Sequence, residues 1–194
     1  MHAHPVDSSF SRALLGATQR GLARGGHDVV TIDLYADGFS AVMPPDELRN
    51  YLSPGSSTDP LVLGYRTAVQ QAQGLVFVYP TWWAGTPAIL KGFAERVLGA
   101  GVAFEAVTQA DGSMKIVPAL SHVKRLVGVT TYGSSRMMTA LTNDGGRRIL
   151  MRALRLNCGK YCRRIWLGHY KLEQSTPQSR QSFLTKVENR MAHL

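Results

Sequence analysis

Two kinds of hydrophobic pattern alternate along the chain. Short apolar runs rich in β-branched residues are separated by longer stretches whose apolar positions recur every three or four residues. The short runs favour strands, and the longer stretches favour amphipathic helices. Strands that alternate with helices are typical of an α/β protein with a parallel sheet. The pattern therefore predicts one parallel sheet with helices packed against it.

Four runs predict strands. The second of them is apolar on both faces and lies between Gly74 and Pro80, as expected of a central strand in a parallel sheet. The predicted strands are Val29–Tyr35, Leu75–Tyr79, Leu126–Thr130 and Ile165–His169.

Five stretches predict helices. The first follows the capping candidates Asp7 and Ser8, and the third begins with Thr86 as N-cap and Pro87 at the first helical position. Residues 35–57 form a long connection, and connections of this length are often functional. The predicted helices run from Phe10 past Gly21, from Thr58-Asp59-Pro60 to Ala72, from Thr86 to about Gly99, from Asn143-Asp144 to about Gly159, and from Thr176-Pro177 to Met191.

Length and composition indicate one globular domain over residues 1–194. The chain has 194 residues, of which 44% are hydrophobic and 18% charged. No apolar run approaches the roughly 20 residues that span a bilayer, and the N-terminus lacks the pattern of a signal peptide, so we expect a cytoplasmic protein. The two cysteines, Cys158 and Cys162, are expected to be ordinary reduced thiols, because no further cysteine or nearby histidine completes a metal site.

The formal net charge of +9 is concentrated in one part of the chain. A run of like charges is usually a solvated face; the alternative is a surface that attracts a dinucleotide phosphate or an acidic lipid. We do not expect nucleic acid as a partner, because no recognised binding motif accompanies the charge. The basic residues between Gly145 and Leu172, where no acid occurs, are Arg147, Arg148, Arg152, Arg155, Lys160, Arg163, Arg164 and Lys171.

Ligands of open parallel sheets bind at the carboxyl ends of the strands, and three loops at such places carry unusual residues. The first is the hydroxyl-rich segment 4–11, which leads into the first helix. Hydroxyl groups and the free N–H groups of a helix N-terminus form a phosphate site, with His4 as an additional donor. The alternative is an ordinary serine-capped helix preceded by an unrelated histidine.

The second loop, residues 80–87, contains the adjacent Trp82 and Trp83. Large aromatic side chains in a loop that would normally be polar suggest a planar apolar ligand, whose heteroatoms nearby backbone N–H groups can bind. Alternatively, one tryptophan belongs to the core and the other to an interface. The third loop, residues 130–136, consists largely of small residues that allow close approach to a flat ligand.

Together these motifs resemble the flavodoxin-like NAD(P)H:quinone oxidoreductases. The most specific part is the stretch from Pro80 to Phe104, which is similar to the family's tryptophan loop and the helix after it. The resemblance implies a doubly wound sheet with strand order 2-1-3-4-5 and a bound flavin, FAD or alternatively FMN. It implies flavin-phosphate contacts from His4, Ser8, Ser9, Phe10 and Ser11, and flavin-ring contacts from Pro80, Thr81, Trp82, Trp83, Ala84, Thr131, Tyr132 and Gly133.

The implied activity is the two-electron transfer of hydride from NAD(P)H to a quinone-like acceptor, with the chemistry supplied by the flavin. No side chain is assigned as a catalytic acid, because Met138 and Asp144 stand where some members have a tyrosine and a histidine, and Tyr132 replaces a glycine. The alternative is a flavin-bound regulatory or electron-carrier subunit that docks on a redox partner, a transporter or an acidic membrane through its basic face.

Two further expectations concern assembly. The resemblance implies a homodimer, with an interface built from the helix Pro87–Leu98 and the segment Val102–Phe104. Only Met1–Ala3 precede the phosphate loop, too few residues for the central first strand of this architecture. We therefore expect these residues to form a stub between the strands at 29–34 and 75–79, and the recorded sequence to be truncated.

Overall fold

A computed structural model describes residues 1–53 and 55–194 of the chain. Its main sheet has three parallel strands, which are paired in register so that Val78, Val129 and Leu167 lie side by side. These strands confirm three of the four predicted runs, extended by one or two residues. The strands are β1 (Gly74–Pro80), β2 (Phe104–Thr108), β3 (Met114–Pro118), β4 (Arg125–Thr131) and β5 (Arg163–His169), with the order β1-β4-β5 in the main sheet and an antiparallel β2-β3 hairpin beside it.

All five predicted helical stretches are present, with some caps displaced. The helices are α1 (Phe10–Arg24), α2 (Pro45–Arg49), α3 (Pro60–Gln71), α4 (Ala88–Arg96), α5 (Arg136–Leu141), α6 (Gly145–Arg148) and α7 (Pro177–Met191). Asp59 and Thr176 cap α3 and α7 as predicted. The cap of α1 is Ser9, not Asp7 or Ser8, because its hydroxyl reaches the N–H of Arg12. Thr86 does not cap α4, since Pro87 takes the cap position and the helix ends at Arg96.

The helices cover both faces of the sheet. Helices α1 and α7 pack together on one face, against Val78, Val127 and Val129. On the other face, Phe93 of α4 and Val97 just after this helix pack with residues of α3 and with the helical run 145–157. Helix α6 continues as a π-helical turn (Ile149–Ala153) and a 3₁₀ turn (Leu154–Asn157), so the predicted fourth helix is continuous but irregular.

The N-terminal residues form the expected stub at the centre of the sheet. His2 makes parallel bridges to Asp33 on one side and to Val78 on the other. Its N–H donates to the carbonyl of Ile32 at 2.8 Å, and the N–H of Val78 donates to the carbonyl of Met1 at 2.9 Å. With the N-terminal stub counted as the first strand of the architecture, the segment at Asp33 as the second, and β1, β4 and β5 as the third to fifth, the spatial order is the predicted 2-1-3-4-5.

The predicted strand Val29–Tyr35 is wrong in its extent. Only Asp33 forms a bridge, and Val30 at the upstream end is 75% exposed. A strand forms only where a neighbouring backbone supplies hydrogen-bond partners, and here the neighbour is the short segment Met1–Ala3.

The long connection 35–57 is tied down by a buried ionic cluster; Pro54 within it lies outside the described residues. Helix α2, which was not predicted, places Glu47 against the guanidinium of Arg96 at 2.6 and 2.9 Å. The same guanidinium donates to Asp59 at 3.0 Å and to the carbonyl of Ser40 at 2.7 Å. This set of charge-assisted bonds joins the connection to α3 and α4.

Part of the predicted dimer interface is buried within the chain itself. Val102 and Ala103 belong to the core, and the carbonyl of Ala103 accepts from Ala119 at 2.9 Å. The side chains of these two residues therefore pack in the chain's own core, and the dimer interface stays a prediction. Among the described residues, no helix has the length and apolar character needed to cross a bilayer.

Candidate active site

Three loops meet at the carboxyl ends of β1 and β4, where the sequence places its three unusual segments. The N–H of Thr81 donates to the carbonyl of Thr131 at 2.8 Å, and the hydroxyls of Thr81 and Thr130 are 3.0 Å apart. The imidazole of His4 lies beside the indole of Trp82, with ring centroids 5.9 Å apart. The phosphate-type loop, the tryptophan loop and the small-residue loop thus lie together at one edge of the sheet.

The tryptophan loop is a tight two-residue turn. Trp82 and Gly85 exchange backbone hydrogen bonds of 2.9 and 3.2 Å, which leaves Trp83 and Ala84 at the tip. Both tip residues have left-handed conformations, with φ of 49° and 54°. This conformation costs non-glycine residues on the order of 1–3 kcal/mol each, and such strain is concentrated at functional sites. Trp83 is fully exposed and Trp82 is 42% exposed, so neither tryptophan belongs to the core.

The loop before α1 provides free donors. Phe10 and Ser11 lie in the first turn of α1, where backbone N–H groups have no acceptor within the helix. Ser8 is exposed, and His4 accepts a hydrogen bond from the N–H of Val6 at 3.0 Å. The Ser11 hydroxyl instead points inward to the His2 imidazole at 3.5 Å, so of the five predicted phosphate contacts Ser11 can offer only its backbone.

The small-residue loop differs most from the expectation. The side chain of Tyr132 is buried, stacked on Tyr170 with a centroid distance of 4.5 Å. Its hydroxyl donates to Asp144 at 3.0 Å and accepts from the indole N–H of Trp166 at 3.1 Å. The Tyr132 side chain therefore lies below the loop and does not face a ligand above it, whereas Gly133 is exposed at the rim.

Burial sets the electrostatics beneath the loops. Burial raises the pKa of Asp144, and desolvation together with the Asp144 charge raises the pKa values of Tyr79 and Tyr132. The Tyr79 hydroxyl is buried and has no hydrogen-bond partner among the described residues. Burial also lowers the pKa of His4, which favours the neutral imidazole near neutral pH.

The sequence patterns did not indicate a polar cluster under the first loop. His2 is fully buried, and its Nδ1 lies 3.1 Å from the carboxylate of Asp33. Arg12 bridges from that carboxylate at 2.6 Å to Asp7 at 2.6 Å. The cluster fixes the start of α1 against the sheet. The only indication of this cluster in the sequence is that His2 and Asp33 lie in segments predicted to be adjacent in the sheet.

A family model matches residues 1–193 and describes a flavodoxin-like fold. The chain belongs to the flavodoxin-like fold family. The flavodoxin-like chain is 28% identical over 175 residues to rat NAD(P)H dehydrogenase [quinone] 1, an alignment that covers 82% of this chain and 62% of the relative. The chain thus spans less than two thirds of that relative's length.

Solved structures resemble the whole chain. Smu.1420 from Streptococcus mutans has a TM-score of 0.80 and 25% identity, with each chain covered completely. An NAD(P)H:quinone oxidoreductase from Methanothermobacter marburgensis has a TM-score of 0.79 and 24% identity, covering 99% of this chain and 93% of its own. The latter similarity establishes a shared fold.

The geometry of this flavodoxin-like chain fits a flavin. A planar apolar ring matches the exposed indoles of the tryptophan loop beside the bonded pair Thr81 and Thr131, and a phosphate matches the first turn of α1. These two places are joined where His4 meets Trp82. The residues that would hold the group are His4, Ser8, Ser9, Phe10 and Ser11 on the phosphate side, and Pro80, Thr81, Trp82, Trp83, Ala84, Thr131 and Gly133 on the ring side.

Proposed function

We propose that the chain is a flavin-dependent oxidoreductase that transfers two electrons, by hydride, from NAD(P)H to a quinone or a similar electrophilic acceptor. The observation that supports this most is the convergence of the three loops, with His4 beside Trp82 and Thr81 bonded to Thr131. The name of the rat relative, NAD(P)H dehydrogenase [quinone] 1, agrees with this chemistry.

Binding and orientation are the work of this chain's residues. The first-turn N–H groups of α1 would hold phosphate oxygens, and the tight turn at Trp83 would place an aromatic wall and backbone groups along a ring. When bound, a flavin supplies the hydride chemistry. We propose FAD as the flavin, with FMN as the alternative, and a homodimer as the working assembly.

The decisive experiment begins with colour. Purified protein should show flavin absorbance that bleaches under anaerobic conditions on addition of NADPH or NADH, and should reduce menadione with multiple turnovers. Heat release followed by chromatography distinguishes FAD from FMN. A flavin that is reduced but does not turn over with menadione would favour the carrier or regulatory subunit. A protein that stays colourless after incubation with both flavins would contradict flavin binding altogether.

A further inference from the structure

A cavity of about 610 Å³ lies next to the proposed ring site. It adjoins the site in two places: Asp144 in its wall accepts from Tyr132, and Gly145 donates its N–H to the carbonyl of Ala84 at 2.9 Å. The cavity therefore lies next to the turn that carries Trp83. Its charged lining consists of Arg136, Arg147, Arg148, Arg152 and Arg164, with Asp144 as the single acid.

The guanidinium groups of this arginine cavity keep their charge available. Among the described residues, none of the five forms an ion pair with a carboxylate, and the side-chain partner of Arg148 is the neutral amide oxygen of Asn143. Aromatic rings support two of them instead, since Arg136 lies 5.1 Å from the centroid of Tyr170 and Arg147 lies 5.8 Å from that of Trp166. A guanidinium on a ring face retains in-plane N–H donors for a ligand.

The irregular helix brings the arginines of one wall together. Arg148 and Arg152 are four residues apart, about 6 Å along the axis, and Arg147 and Arg152 are five apart across the π-helical turn Ile149–Ala153. Turns of this kind are frequent at functional sites. Arg164 and Trp166, two residues apart on β5, also line the cavity, and Arg164 donates to the carbonyl of Met151 in this turn at 3.1 Å.

We propose that the arginine cavity binds the 2′-phosphate of NADPH and so makes NADPH the preferred electron donor over NADH. Several unpaired guanidinium groups repel one another, and a phosphate dianion relieves this repulsion while accepting charge-assisted hydrogen bonds. The contacts through Asp144 and Gly145 connect this end of the dinucleotide to the proposed ring site. This inference rests on the proposed function.

The test uses the full chain and ligand fragments that need no turnover. Adenosine 2′,5′-bisphosphate should bind, by calorimetry, at least about tenfold more tightly than adenosine 5′-monophosphate. The double variant Arg148→Gln/Arg152→Gln should remove that difference. The control Lys186→Gln/Arg190→Gln removes the same charge from α7, on the opposite face of the sheet, and should retain it. With menadione, the cavity variant should raise KM for NADPH about tenfold while KM for NADH and the flavin content stay unchanged.

Equal affinity of wild-type protein for the two nucleotides would overturn the assignment. So would binding to phosphatidylserine–phosphatidylcholine vesicles that the cavity variant loses without any change in nucleotide affinity, because the cluster would then recognise a membrane. If the wild-type protein discriminates between the nucleotides but turns over neither NADPH nor NADH, the proposed oxidoreductase function fails while the phosphate site stands.

Discussion

Trp82 and Gly85 are joined by two backbone hydrogen bonds, which hold Trp83 at the tip of a left-handed turn with its indole in solvent. A fully exposed tryptophan contributes little to the core. Its position at the proposed ring site therefore favours a role in contacting a ligand. The left-handed conformation of this turn therefore holds the Trp83 indole where the proposed function needs an aromatic contact.

We predict that Trp83→Ala weakens flavin retention or raises KM for the nucleotide, with little change in melting temperature, because the indole packs against no core residue. Absorbance after gel filtration and steady-state kinetics measure both effects. Tyr161→Ala, which removes another exposed aromatic residue (84% exposed), serves as the control and should leave both values unchanged. Wild-type flavin content and kinetics in Trp83→Ala would contradict the assignment.

We predict that Arg96→Met lowers the free energy of unfolding by about 3–5 kcal/mol, because it leaves the buried carboxylate of Glu47 without its cation. Urea unfolding at neutral pH measures the loss. Arg49→Met removes an exposed arginine that pairs with Asp46 and should change stability by less than about 0.5 kcal/mol. Equal effects of the two substitutions would show that the buried ion pair contributes no more to the free energy of unfolding than the exposed one.

We predict an acid-dependent loss of stability from Glu47. Its bond to Arg96 lowers the pKa of this carboxyl below the ordinary value of 4.5, so the folded state binds fewer protons than the unfolded state below that pH. The contribution is fully present above about pH 4.5 and is lost as the pH falls through the lower, folded pKa. The difference in unfolding free energy between wild type and Glu47→Gln should therefore shrink from pH 7 to pH 3. A constant difference across this range would rule out the linkage.

We predict that Gly21→Ala destabilises the chain by about 1–3 kcal/mol. A Cβ atom at Gly21 would lie 2.3 Å from the carbonyl oxygen of Glu188, where α1 and α7 pack closely. The matched control is Gly16→Ala in the same helix, whose Cβ would meet only the tip of Arg20 at 3.4 Å. That substitution should stabilise the protein by up to about 1 kcal/mol through helix propensity. Thermal unfolding compares the two, and similar shifts for both variants would contradict a close α1–α7 contact at Gly21.

We predict a homodimer, now with α5 in or near its interface. Met137, Met138 and Leu141 of α5 are exposed beside the proposed site, and contiguous exposed apolar side chains often mark a protein interface. Sedimentation at micromolar concentration should give twice the chain mass of 21.2 kDa. Met138→Glu/Leu141→Glu should shift the protein to monomer, whereas Leu156→Glu, at another exposed leucine, should not. A wild-type species of 21.2 kDa would contradict the dimer.

The sequence by itself determined the elements whose causes are local. Helices α3 and α7 begin at Asp59 and Thr176 because a capping side chain reaches an N–H only two or three residues away. The runs around Val78 and Val129 identified buried strands because an apolar parallel strand has no polar face. The three loops of the candidate site followed from their positions next to these elements.

Only the tertiary structure decided features that depend on residues far apart in the chain. The pairing of Glu47 with Arg96, the burial of Tyr132 against Asp144 and Trp166, and the backbone bond from Ala119 to Ala103 involve partners that no periodicity connects. The segment 29–35 shows the same limit, since its β-branched residues favour a strand but only Asp33, beside His2, forms a bridge. Propensity specifies what a segment can become, whereas backbone hydrogen bonds and burial require a neighbour that the fold must bring to it.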